Sequence, residues 1–101
     1  MSNRGRAKGL RGERAVRELF TSHGWAWRGL EGEGDGLAFR RGAVLHVESK
    51  NQAILRLPLW IAQSTREAPT GATPVLVYNL GGNWRADLPA GAFVSQYGMA
   101  S

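Results

Sequence analysis

From about Gly9 to Ser22 the apolar residues Val16, Leu19 and Phe20 recur at helical spacing, and His23-Gly24 supplies a stop. The spacing predicts a helix there, preceded by a flexible basic arm over residues 1–8. Trp25 and Trp27 then alternate with smaller residues in a short strand that runs into Gly29-Leu-Glu-Gly-Glu-Gly34, a mobile glycine-rich loop. Gly36 to Arg40 and Ala43 to Asn51 are short and rich in apolar residues, and Arg41-Gly42 lies between them as a turn signal. They predict an antiparallel hairpin. Leu57 to about Ala68 predicts a second helix, with Pro58 in the first turn, where a missing N–H costs least, and Pro69-Thr-Gly71 as its end. Thr73 to Leu80 is an apolar, β-branched strand. A turn at Gly81-Gly82-Asn83 and a last strand over Trp84 to Leu88 follow, and residues 89–101 form a tail or short helix. The predicted fold class is α/β, in the order α-β-β-β-α-β-β.

A chain of 101 residues accommodates one core, since two cores of half this size would each be marginal. There are no cysteines, which excludes disulfides and thiolate metal sites and suits a reducing compartment. Residues 1–6 lack an apolar signal core, and the longest apolar stretch, Ala53 to Ala62, is interrupted by Arg56 and Pro58. A cytoplasmic protein with no membrane association is expected. The net charge is +5 and the pI about 10.8. Arg4, Arg6, Lys8, Arg11, Arg14 and Arg17 lie in the first twenty residues, against only Glu13 and Glu18. A basic arm leading into a basic helix suits phosphate contact with counterion release. By charge alone, a merely solvated surface fits as well.

The hairpin changes that balance. Glu48 and Lys50, two residues apart on one strand, project from the same face. An even-length loop centred on Arg41-Gly42 would pair Phe39 with Val44, Leu37 with His46 and Asp35 with Glu48. Directly opposed strand positions hold Cβ atoms about 4.5–5.5 Å apart, and like charges there are unfavourable unless neutralised. A cation resolves the conflict. Two carboxylates and a neighbouring backbone carbonyl, that of Ser49, form a hard oxygen site suited to Mg²⁺, with Mn²⁺ as a substitute. Such an ion acidifies a water for in-line attack on phosphorus, and Lys50 beside it would hold that water or offset charge on the phosphate. A one-residue slip of register would abolish this arrangement.

Glu13 lies on the helix stripe expected to face the sheet and either joins this acidic set or serves the positive end of the helix dipole; spacing leaves both readings open. His46 is expected to be a packed, hydrogen-bonded strand residue, and Trp25, Trp27 and Trp84 to be packing residues.

With these residues in view, the chain resembles the PD-(D/E)XK nuclease superfamily, most closely the small archaeal-type Holliday junction resolvases, including those carried by bacteriophages. The resemblance covers roughly residues 9 to 88. Gly9-Leu-Arg-Gly-Glu13-Arg looks like the opening helix motif, Gly34-Asp35-Gly36 stands where the family has Pro-Asp, His46-Val-Glu48-Ser-Lys50 looks like the Glu-x-Lys strand, and Thr73 to Tyr78 like the next core strand. Gly34 replaces the family's Pro, and Glu31 and Glu33 occupy a loop in which such resolvases often carry a Ser and a basic residue. The resemblance implies a restriction-endonuclease-like central mixed β-sheet flanked by helices. It also implies catalytic roles for Glu13, Asp35, Glu48 and Lys50, metal binding by Glu13, Asp35 and Glu48, and a supporting role for Gln63. The expected activity is Mg²⁺-dependent cleavage of four-way DNA junctions, in the host cytoplasm if the source is a phage. Arg4, Arg6, Lys8, Arg11 and Arg14 would hold the DNA. Junctions are two-fold symmetric and need matched nicks, so a homodimer is expected. The apolar run with Leu57, Leu59 and Trp60, too rich for one short helix to bury, is its expected interface. The alternatives are a nuclease for flaps, nicked or other duplexes or for RNA, and a non-catalytic DNA-binding accessory to recombination.

Overall fold

A computed structural model describes residues 3–30 and 35–98, with side chains described for 8–30 and 36–95. The elements are α1 (Asn3–Thr21), β1 (Ala26–Gly29), β2 (Asp35–Arg40), β3 (Ala43–Lys50), α2 (Leu57–Glu67), β4 (Thr73–Leu80), β5 (Asn83–Asp87) and α3 (Ala90–Gly98). The five strands form one mixed sheet in chain order: β3 and β4 run parallel, with α2 as their crossover, and every other neighbouring pair is antiparallel.

The turn at Arg41-Gly42 fixes the centre of the sheet. Both residues have positive φ, 49° and 83°, the two-residue hairpin geometry whose twist matches the flanking strands. Each residue of β2 therefore pairs with the residue of β3 equally far from the turn, giving Phe39 opposite Val44, Leu37 opposite His46 and Asp35 opposite Glu48. This is the register expected from the sequence. Gly81-Gly82 makes a second turn of the same length, so Asn83 starts β5 instead of completing a loop.

Strand alternation divides the core into two layers. Ala38, Leu45, Val47, Val75 and Val77 form one face with Val16 of α1, and Phe20, Trp25, Trp27, Trp84 and Leu88 pack around them. Leu76 and Tyr78 point the other way, against Trp60 of α2, with Leu55, Leu57 and Ile61 at the margin. The result is a compact α/β fold with helices on both sides of the sheet. β3 is buried on both faces from Leu45 to Glu48, as a central strand should be.

α1 ends where expected. Trp25 N–H donates to the Phe20 carbonyl and Gly24 N–H to that of Thr21, the pair of bonds that closes a helix through a left-handed residue. Phe20 and Trp25 add an edge-to-face contact at 5.7 Å between ring centroids. The start of α1 differs from expectation: the helix begins at Asn3, so residues 3–8 are helical backbone instead of a separate arm. Arg4, Arg6, Ala7 and Lys8 have good helix propensity, while Gly5 and Gly9 each cost about 1 kcal/mol without breaking it. At the other end, the short helix anticipated after residue 89 is α3.

Two glycines accept close neighbours. A Cβ on Gly36 would collide with the Trp27 indole, so the absence of a side chain lets that ring lie across β2 on the face that α1 covers. A Cβ on Gly12 would come within 2.7 Å of Asn51 Cβ, so α1 sits directly on the residue that follows β3.

Candidate metal centre

The site is built outward from Glu48. Its position on the doubly covered strand buries it to 2 % exposure, and a charged carboxylate is not held there without compensation. Lys50, two residues on and on the same face, brings Nζ to 3.4 Å from Glu48 Oε1 while keeping 18 % of its side chain in solvent. Lys50 thus links the buried carboxylate to the surface.

Asp35 opens β2 directly opposite Glu48, and opposed residues share a face of the sheet. The Asp35 side chain is outside the described residues, as are Glu31, Glu33 and Gly34 of the glycine-rich loop and the side chains of Arg4 and Arg6. The same face carries His46 opposite Leu37. Across β4 it carries Leu76 opposite Glu48 and Tyr78 opposite Lys50. His46 is buried at 2 %, which agrees with a packed strand residue. The wall around the Glu48–Lys50 pair is therefore largely apolar, a setting that strengthens electrostatic interactions within it.

Among the described residues, no three or more His, Asp or Glu side chains are grouped to hold a metal ion. The remaining predicted residues are placed as follows. Glu13 is half-buried on α1 and follows Gly12, the residue against Asn51; α1 covers the face opposite Glu48 and Lys50. It therefore stands near the carboxyl end of β3, the end at which Lys50 lies. Gln63 lies on α2 and donates through Nε2 to Glu67 Oε1 at 3.0 Å, so that N–H is engaged along its own helix. Ser49 is in β3 between Glu48 and Lys50. Lys8 is half-buried, whereas Arg11, Arg14 and Arg17 are exposed along α1.

The expected interface needs correction. Trp60 is 3 % exposed and belongs to the core with Leu76 and Tyr78, and Leu57 packs at its margin. The helix turns Leu57, Trp60, Ile61 and Ser64 toward the sheet, at the i, i+3, i+4, i+7 spacing of a buried stripe. Of the large apolar residues in this run, Leu59, 62 % exposed, and Ile54 of the lead-in remain outside.

Asn51 was not among the expected site residues. Its Nδ2 donates to the Lys8 carbonyl at 3.0 Å and its Oδ1 accepts from Asn79 Nδ2 at 3.3 Å, which ties α1, β3 and β4 together at one end of the sheet. The available signal was Gly12, a glycine on the sheet-facing stripe of a helix, which marks close approach.

No protein-family model and no curated protein matches the sequence of the chain.

Proposed function

We propose that the chain is a divalent-metal-dependent DNA endonuclease with a restriction-endonuclease-like sheet, of the PD-(D/E)XK kind, and that its substrate is the four-way Holliday junction. The supporting observation is the pairing of Asp35 with Glu48 across the hairpin, with Lys50 Nζ 3.4 Å from the buried Glu48 carboxylate. The donor set fits a hard cation: two carboxylates at opposed positions, the Ser49 carbonyl, and a buried Glu48 that gains from added positive charge. Asp35, Glu48 and the Ser49 carbonyl would hold Mg²⁺ or Mn²⁺, with Glu13 as a further ligand from the carboxyl end of β3. Bound there, the ion would polarise the scissile phosphodiester and acidify a water.

Lys50 has two tasks in this reading. With no metal it partly neutralises Glu48, and during the reaction its ammonium orients the attacking water or stabilises the additional charge at phosphorus. Gln63 would hold a nearby water through its amide oxygen. The exposed Arg11 and Arg14, with Arg4, Arg6 and Lys8, supply phosphate contacts along α1. A homodimer would deliver paired nicks, with Leu59 and Ile54 as the apolar residues left for its contact.

Incubation of labelled four-way junction, flap and linear duplex with Mg²⁺ tests the substrate. Junction cleavage well above the others is expected, and equal cutting of all three would overturn the resolvase assignment. If neither Asp35→Asn nor Lys50→Ala lowered cleavage while junction binding persisted, the cleavage would belong to a contaminant and a non-catalytic accessory role would replace the nuclease reading.

A further inference from the structure

The carboxyl ends of the parallel strands β3 and β4 open into a cleft of about 240 Å³ lined by Lys8, Asn51, Gln52, Leu55, Asn79 and Leu80, among others. In open α/β sheets, ligands bind in the crevice beyond the carboxyl ends of parallel strands. This cleft begins one residue after Lys50, yet the metal chemistry proposed above uses none of its groups except Lys8, and that one only for general phosphate contact.

Its polar groups are fixed in place. Asn51 Nδ2 donates to the Lys8 carbonyl, Asn79 Nδ2 donates to Asn51 Oδ1, and Asn79 Oδ1 accepts from Gly82 N–H at 2.9 Å. The acceptor oxygens of both amides are thereby engaged, while each NH₂ group has a second hydrogen besides the one used in these bonds. Gly12 against Asn51 keeps α1 from sliding. The cleft thus presents N–H donors and the half-buried Lys8 on its polar side, and Leu55 and Leu80 on its apolar side. Donors and a cation suit an anionic oxygen group, and the apolar wall suits a sugar or base. Arg11, about one helical turn beyond Lys8 and exposed, extends the cationic track away from the cleft.

We infer that this cleft is a nucleotide subsite: it receives a phosphate and its attached sugar from the strand next to the one placed at Glu48 and Lys50, and Asn51, Asn79 and Lys8 make the contacts. The inference rests on the nuclease reading for the identity of the strand, but the binding site itself stands on the geometry of the cleft.

The test is a titration of ¹⁵N-labelled protein with a 5′-phosphorylated deoxytrinucleotide, read by amide chemical shifts with Mg²⁺ omitted. The side-chain amides of Asn51 and Asn79 and the backbone amides of Gln52 and Gly81 should shift together and saturate. Asn79→Asp, which keeps an acceptor for Gly82 but puts a negative charge in the cleft, should weaken binding at least about tenfold. Asn79→Ser, uncharged and small, should weaken it less and serves as the control for folding. Shifts confined to the exposed arginines of α1, or equal affinity for wild type and Asn79→Asp, would overturn the subsite. Junction cleavage by wild type without these shifts would sink the subsite alone. Saturating shifts in the cleft of a protein that cuts no DNA would keep the subsite and sink the nuclease reading.

Discussion

Replacing Lys50 with Met leaves the buried Glu48 carboxylate without the ammonium 3.4 Å away. Removing one partner of a fully buried ion pair costs about 3–5 kcal/mol. Lys50 is 18 % exposed, and water reaching its ammonium lowers the expected cost to about 1–3 kcal/mol. In a domain of this size each kcal/mol moves the melting temperature by about 4–8 °C, so Lys50→Met in EDTA should melt well below wild type. Divalent metal should reverse much of that loss, because a cation held by Asp35 and Glu48 supplies the missing positive charge. At a free metal concentration of about 100 times Kd the stabilisation is about 2.7 kcal/mol. The metal-induced shift should be larger in Lys50→Met than in wild type, and nearly absent in Glu48→Gln, which loses the buried charge and a ligand together. Thermal melts of the three proteins, each in EDTA and in millimolar MgCl₂, provide the assay. Equal Mg²⁺-induced shifts in wild type and Glu48→Gln would refute the reasoning, since the ion would then be binding elsewhere.

Other consequences can be measured separately. Gly36→Ala should destabilise the fold by about 1–3 kcal/mol by displacing the Trp27 ring that crosses β2 at Gly36, seen as a lower urea midpoint with unchanged m. Trp60→Ala should cost about 3–5 kcal/mol as a core truncation. Leu59→Glu should leave the melting temperature of the isolated chain almost unchanged and, if the dimer proposal holds, shift sedimentation toward monomer. Arg11→Ala with Arg14→Ala should weaken junction binding and reduce the slope of log K against log salt by about 1 for each phosphate that is no longer neutralised.

The part of the candidate site legible in the sequence is the part governed by local geometry. A two-residue loop at Arg41-Gly42 determines the whole β2–β3 ladder, so opposition of Asp35 and Glu48 follows from counting outward from the turn. Placement of Lys50 on the same face follows from strand alternation. The burial of Trp60 is not legible in the same way, because the apolar residues around α2 exceed what an isolated helix can hide. The sheet face that receives them, Leu76 and Tyr78, comes from a strand whose orientation depends on the parallel crossover. Glu13 depends on long-range placement as well: its helical stripe is readable, but which face α1 covers is not. The Asn51 link joins residues from three separate elements, and no local pattern reports such a contact. The early start of α1 reflects cooperative extension of a helix already docked through Val16 and Phe20, which outweighs the weak propensity of its first glycines.

Cleavage of a labelled four-way junction by wild type and by Asp35→Asn, with divalent metal first omitted and then restored, tests the central claim most directly. Wild type should be inactive in EDTA and recover on addition of Mg²⁺, while Asp35→Asn, changed only at the position opposite Glu48, should remain at least about a hundredfold slower, a barrier increase of about 2.7 kcal/mol. Cleavage that persists in EDTA, or an Asp35→Asn protein that cuts at the wild-type rate, would contradict a metal-dependent nuclease centre at Asp35, Glu48 and Lys50.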